Sequence, residues 1–280
     1  MKTMTISVTE GALPTTVGSY LRRIGLSVTF IKKVKMGGIS LKGERVTVRA
    51  TVTAGDLLTL TLPEERSESI RSLNIPLTVL YEDEHILAVD KPRGMPTHPS
   101  RGNSLPTLAE AVMGMYGGNF VFRAVSRLDR DTSGIVVIAK DQVTAGALAE
   151  QMKSGLFGKR YICLTEGVPA PTSGIIDAPI KRESEDSVRR IVAEDGKSAV
   201  TEYEVLDISD GCALCSIRPR TGRTHQIRVH MAHIGCPLHG DFLYGRTTDE
   251  GYFLRCIEVE FTHPKTREQL KITASNSANL

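Results

Sequence analysis

Two hydrophobic periods divide the first sixty residues. Val17, Leu21 and Ile24, then Ile31 and Val34, recur at three- and four-residue spacing and predict two short helices. Thr15 or Thr16 is placed to cap the first and Ser27 the second, with Gly25 and Gly37-Gly38 to end them. The period then shortens to two. Ile39-Ser-Leu-Lys, Val46-Thr-Val-Arg and Gly55-Asp-Leu-Leu-Thr-Leu-Thr-Leu62 alternate around glycines and predict a small sheet. Pro63 to Asn74 loses the periodicity and reads as a linker. Beyond Ile75, Thr78-Val-Leu-Tyr and His85-Ile-Leu-Ala-Val predict strands and Leu105–Met115 a helix. Ile135-Val-Val-Ile-Ala139 has the unbroken apolar character of a strand buried on both faces, and Asp141 is placed to cap a helix that runs through Met152 to Gly155. Strands and short helices continue to Thr273. The expected architecture is α+β with a mixed sheet, in two domains: residues 1–62 (core 14–62) and 75–280, joined by 63–74.

Composition agrees with that division. At about 150 residues per domain, 280 residues make about two domains. Charged residues at 24% and apolar residues at 40% exclude wholesale disorder, collagen and coiled coil. No apolar run approaches the length of a membrane span, and Met-Lys-Thr-Met-Thr-Ile-Ser-Val lacks a secretory core, so a cytoplasmic address without membrane contact is expected. Five cysteines argue against a disulfide framework. Cys212 and Cys215 have C-x-x-C spacing, but they fall in a strand-like stretch that points them to opposite faces.

Charge is concentrated at one end. Between Pro14 and Leu62 stand Arg22, Arg23, Lys32, Lys33, Lys35, Lys42, Arg45 and Arg49 against Glu44 and Asp56, a balance of +6, so with a total of +3 the remainder sums to −3. A compact basic segment is the footprint of a nucleic-acid contact, or else a solvated basic face.

Two further stretches carry candidate chemistry. Ser126-Arg-Leu-Asp-Arg-Asp-Thr-Ser-Gly134 places four charges in five residues directly before the buried strand. Such charges are costly to desolvate unless paired; they mark either a carboxylate held for chemistry or a salt-bridged turn. Arg218-Pro-Arg-Thr-Gly-Arg-Thr-His-Gln-Ile-Arg-Val-His230 holds four arginines and no acid. An RNA backbone would satisfy Arg218, Arg220 and Arg223, while one arginine is expected to pair with Asp129 and keep it ionised. His225, His230 and His233 match no metal-ligand motif, and a structural or RNA-facing role is expected for them. Neither a P-loop nor a Rossmann glycine pattern is present: Ile191 stands where the leading glycine of a P-loop ending Gly196-Lys197-Ser198 should be.

Two basic helices followed by Gly-Ile-Ser-Leu-Lys-Gly43 and Ala-Gly-Asp-Leu-Leu58 resemble the ribosomal-protein S-four-type RNA-binding module. Arg127-Leu-Asp-Arg-Asp-Thr-Ser-Gly134, Lys159-Arg-Tyr161, Thr221-Gly-Arg-Thr-His-Gln-Ile-Arg-Val-His230 and Gly235-Cys-Pro-Leu-His-Gly-Asp241 resemble the signature blocks of the RluA-type pseudouridine synthases. Asp90-Lys-Pro-Arg-Gly94, Ile176-Asp-Ala-Pro-Ile180, Gly196-Lys-Ser-Ala-Val-Thr201 and Phe261-Thr-His-Pro264 follow the same family order. Many relatives carry His where this chain has Ser126, and again where it has Arg255. The resemblance implies a large mixed, mostly antiparallel sheet flanked by helices and loops, and isomerisation of uridine in RNA. The bond from ring nitrogen to ribose breaks, the uracil turns, and a carbon–carbon bond forms, with no cofactor or metal.

By position the resemblance makes Asp129 the catalytic carboxylate, acting as nucleophile or base, with Arg228 as its partner. Tyr161 would stack on the flipped base and assist proton removal, Leu254 would close the other side, and Arg127 would occupy or brace the vacated space. Arg127, Arg130, Arg218, Arg220, Arg223 and His225, with Arg22, Arg23, Lys32, Lys33 and Lys35, are the expected RNA contacts. Ribosomal RNA of the large subunit is the expected partner, transfer RNA the alternative, and the chain is expected to act as a monomer. Two other readings stand beside this one: a ribosome-assembly protein that docks on RNA without catalysis, and a nucleosidase or glycoside hydrolase using Asp129 and Asp131 as its acid pair.

Overall fold

A computed structural model describes residues 2–9, 14–24, 26, 28–62, 70–100 and 104–274. The N-terminal unit runs β1 (Lys2–Ser7), β2 (Thr15–Thr16), α1 (Val17–Arg23), α2 (Val28–Gly37), β3 (Ile39–Leu41), β4 (Glu44–Val46), β5 (Thr51–Val52) and β6 (Leu57–Leu62). Thr16 is the cap of α1, its hydroxyl accepting from the Ser19 N–H at 3.2 Å. Gly25 and Ser27, expected to end one helix and start the next, lie outside the described residues. Val17, Tyr20 and Leu21 of α1 meet Phe30, Ile31 and Val34 of α2 over Ile39, Leu58 and Leu60 of the sheet. Ile24, expected on the buried face, is exposed just past the last turn. The sheet order is β1-β6-β3-β4. Its second edge strand covers 44–46 rather than 46–49, and β1 pairs along its whole length with β6, extending the core below residue 14.

The larger unit continues with β7 (Thr78–Glu82), β8 (Ile86–Lys91), α3 (Leu108–Met115), β9 (Ser133–Ala139), α4 (Gln142–Lys153), β10 (Gly158–Glu166), β11 (Ser173–Asp177) and β12 (Ile180–Arg182). It ends with β13 (Arg190–Val192), β14 (Val200–Ser209), β15 (Cys212–Pro219), α5 (Gln226–His233), β16 (Leu254–Thr262) and β17 (Gln269–Thr273). Nine strands form one sheet in the order β11-β14-β15-β10-β16-β9-β8-β7, with β17 also on β16. Every neighbouring pair is antiparallel except β16 with β9. The fold is therefore α+β with a mixed, mostly antiparallel sheet, as expected. Asp141 caps α4 by accepting from Val143 and Thr144, and Thr107 with Glu110 forms a reciprocal capping box on α3.

The expected linker divides. Residues 63–69 lie outside the described set, whereas 70–74 are docked on α3. Arg71 pairs with the buried Glu110 at 2.7 Å, and the Leu73 N–H donates to the Glu110 carbonyl. A polar stretch without periodicity thus serves as cover for a helix. No helix among the described residues is long and apolar enough to cross a membrane.

Candidate active site

Asp129 sits in the turn that feeds β9, and the backbone on either side of it is held as well as its own carbonyl. Thr97 Oγ1 donates to the Leu128 carbonyl at 2.8 Å and accepts the Leu128 N–H. Lys91, fully buried at the end of β8, donates to the carbonyls of Pro92, Met95 and Arg130 at 2.9, 2.7 and 3.0 Å. The Thr132 N–H closes the turn onto the Asp129 carbonyl. Burial pulls the Lys91 ammonium down to about 8, against the opposing pull of Asp131, Asp129 and Asp90. One lysine therefore ties the 92–95 loop to the aspartate turn.

Gly134 sets the distance to the neighbouring strand. It adopts φ +107°, and a Cβ there would overlap the Cys256 carbonyl and lie 2.6 Å from its nitrogen. That close approach brings the start of β16 beside the aspartate turn, with Gly134 paired to Cys256. Across β16, Tyr161 pairs with Cys256 and Cys163 with Leu254, so Tyr161 and Leu254 occupy one face as diagonal neighbours. Both are buried. Burial pushes the Tyr161 hydroxyl well above its ordinary range, with Cys256 and Asp129 adding to the effect, so it rests as a neutral phenol.

His225 approaches from the other side. Its Nε2 lies 3.9 Å from Asp129 Oδ2, and it occupies the left-handed region at φ 57° immediately before α5. Tyr244 Oη accepts the Arg190 N–H at 2.8 Å and meets His225 Nδ1 at 3.0 Å. In the tautomer where the phenol donates to Nδ1, the ring proton sits on Nε2, on the side of Asp129. Burial lowers the His225 pKa, Asp129 opposing and Arg228 reinforcing that shift.

Arg228 requires a correction. Its Nε and Nη2 bind Asp241 at 2.7 and 2.6 Å, and no ion pair within 4.0 Å joins it to Asp129. Arg228 is 3% exposed and Asp241 0%, and a fully buried carboxylate demands the two-point partner. Burial works against the Arg228 cation, but the Asp241 hydrogen bonds outweigh it and raise the pKa, with Tyr252, Asp241 and Asp129 contributing through charge. Asp129 is therefore an electrostatic neighbour of Arg228 and not its ion-pair partner. The guanidinium is also ringed by Tyr252, Tyr244 and Phe242, at 4.4, 5.1 and 5.4 Å from the ring centroids.

The remaining arginines are more dispersed than expected. Arg220 pairs with Glu202 across the strand, and Arg223 donates to the Ser198 carbonyl, so protein groups supply part of the negative charge expected from RNA. Arg218 alternates with Ile217, which pairs with Tyr161, so it lies on the opposite sheet face. There it lines an open cleft of 330 Å³ with Glu202, Glu204 and Ser216. Arg130 is tied to Asp131 in a two-point pair at 2.9 and 2.8 Å, an arrangement that engages the second carboxylate of the hydrolase reading. Arg127 is exposed next to the Asp129 turn. Arg22, Arg23, Lys32 and Lys35 are exposed and Lys33 half-buried on helices of the N-terminal core. Arg255 pairs with Asp90 at the end of β8. His230 is internal, with Nε2 donating to the Ala178 carbonyl at 2.9 Å and Nδ1 against Thr201 Oγ1 at 2.8 Å.

A family model described as RNA pseudouridylate synthase matches residues 85–233, which include Asp129, Tyr161 and Arg228. The chain belongs to this family. An uncharacterized RNA pseudouridine synthase of Bacillus subtilis is 38% identical over 267 residues, covering 92% of this chain and 94% of that one. The ribosomal large subunit pseudouridine synthase D of Xanthomonas campestris is 36% identical over 261 residues, covering 86% and 78%. The solved human RNA pseudouridylate synthase domain containing 1 aligns with a TM-score of 0.61 at 25% identity, over 72% of this chain and 84% of that one. The chain is an RNA pseudouridine synthase, an isomerase that modifies RNA. Lys91, Thr97, Asp241 and Tyr252 were not picked out as site residues from the sequence. Lys91 and Asp241 fall inside motif blocks, whereas Thr97 and Tyr252 carry no sequence signal of their own.

Proposed function

We propose that this synthase isomerises specific uridines of large-subunit ribosomal RNA, with Asp129 acting at the anomeric carbon of a flipped nucleotide. The observation that carries this is the Asp129 carboxylate: partly open to solvent, flanked by Leu128 and Arg130 whose carbonyls Thr97 and Lys91 hold, and set beside His225, Arg228 and Tyr161. Cleavage of the C1′–N1 bond builds positive charge on the ribose, which a carboxylate stabilises or captures. Carbon C5 then bonds to C1′ and loses its proton while N1 gains one, so substrate and product are isomers and no cofactor is consumed. Extruding the uridine costs a few kcal/mol, offset when Tyr161 and Leu254 receive the base.

Residues 1–62 act as an S-four-like RNA-docking unit in this proposal, presenting Arg22, Arg23, Lys32, Lys33 and Lys35 to the phosphate backbone, and residues 75–280 carry catalysis. Relatives named for the large ribosomal subunit support the substrate assignment. The test is to incubate the purified chain with large-subunit ribosomal RNA and, separately, with transfer RNA, and to map pseudouridine chemically. Discrete sites in the ribosomal RNA are expected. Modification confined to transfer RNA would overturn the substrate, and none in either would overturn the proposal.

A further inference from the structure

Seven phenylalanines and seven tyrosines make up the aromatic side chains of this protein, and Phe242 is the only one that is exposed, at 49%. Its exposure is not that of a loose loop. Asp241, immediately before it, is locked by Arg228, and the same carboxylate accepts the Leu243 N–H at 3.0 Å. The Asp241 carbonyl also accepts from Tyr244 and Gly245. Both flanks of Phe242 are thus tied to one buried residue, and the turn holds the ring outward. One side of the ring has the Arg228 guanidinium 5.4 Å from its centroid.

We infer that Phe242 is a stacking platform for an unpaired nucleotide next to the target uridine. The inference rests on the proposed RNA reaction and adds a contact to it. A flat apolar ring backed by a cation fits the face of any nucleobase. A protein partner would need a contiguous apolar patch, but Gly245, Arg246, Thr247, Asp249 and Glu250 nearby are exposed and mostly polar. A chain of contacts joins Phe242 to the aspartate: Arg228 lies 5.4 Å from the Phe242 ring centroid and 5.1 Å from that of Tyr244, Tyr244 Oη meets His225 Nδ1 at 3.0 Å, and His225 Nε2 lies 3.9 Å from Asp129, so Phe242 stands near the Asp129 site rather than on a remote surface. The target base belongs against Tyr161 and Leu254, so Phe242 meets its neighbour.

The test uses the full-length chain and an RNA oligonucleotide carrying a mapped site, with Phe242→Ala, Phe242→Leu and Phe242→Trp. Losing one base–aromatic stack is expected to raise Kd and KM by roughly 5- to 150-fold in the Ala and Leu variants, with the loss falling on KM rather than kcat. Trp is expected to restore binding. 2-Aminopurine placed beside the target should be quenched on binding by the wild type and the Trp variant only. Wild-type affinity in the Ala variant, full rescue by Leu, or a loss confined to kcat would each overturn the inference. Wild-type protein that binds the RNA but forms no pseudouridine would instead overturn the proposed reaction, while the Kd comparison would still read the platform.

Discussion

Replacing Asp241 by Asn keeps the shape of a buried side chain and removes the charge that holds Arg228. The partner guanidinium is 3% exposed and donates both of its short hydrogen bonds to that carboxylate. Breaking a buried ion pair from one side costs about 3–5 kcal/mol, because the remaining charge stays desolvated without its counterion. For a folding unit of this size each kcal/mol moves the midpoint by about 2–4 °C, so Asp241→Asn is expected to lower Tm by roughly 6–20 °C. The double variant Arg228→Met with Asp241→Leu separates structure from chemistry. Replacing both charges by apolar groups of similar volume is often neutral or stabilising, less about 1 kcal/mol for the Leu243 N–H bond that Asp241 also accepts. Its Tm should return to within a few degrees of wild type. Pseudouridine formation should be lost in the double variant, because the cation that neighbours Asp129 is gone. Thermal melting by circular dichroism and a pseudouridine assay on the same preparations decide the matter. A Tm unchanged in Asp241→Asn, or activity restored in the double variant, would refute the reasoning.

Other outcomes follow from the same geometry. Gly134→Ala should fail to fold or melt far below wild type, because its Cβ would overlap the backbone of Cys256 at a positive φ; normal melting would contradict the close approach of β9 and β16. Lys91→Met leaves three carbonyls without their shared donor and should cost at least about 1–3 kcal/mol with a lower kcat, measured by denaturant unfolding and single-turnover kinetics. Burial lowers the pKa values of His230, His225 and His98, so the unfolded chain binds their protons first and stability should fall as pH drops below about 6.5. A Tm independent of pH between about 7 and 5 would contradict those environments.

Much of the fold was legible because local signals suffice for local elements. The apolar run at 135–139 is the interior strand β9, and Asp141 caps the helix that follows. Strand β1 carries little signal of its own: Met4 and Ile6 are its only large apolar positions, and its stability comes from β6, fifty or more residues away. At the site, alternating charges exposed Asp129, whereas the resemblance to relatives was needed for Tyr161 and Leu254. No local spacing links Arg228 to its partner, because Asp241 lies thirteen residues beyond it, across a helix end and a turn. Arg220 looked free for phosphate because its acid, Glu202, comes from the neighbouring strand and no local spacing links the two. Lys91 and Thr97 reach the aspartate turn across more than thirty residues, a distance that periodicity does not span.

The central claim is that the carboxylate of Asp129 performs the isomerisation. It is tested most directly by mapping pseudouridine across ribosomal and transfer RNA in cells that lack the gene and carry back either the wild-type chain or Asp129→Asn. At least one ribosomal site should vanish on deletion and return with the wild type. It should stay absent with Asp129→Asn expressed at equal level and melting normally; restoration of that site by the Asn variant would contradict the account.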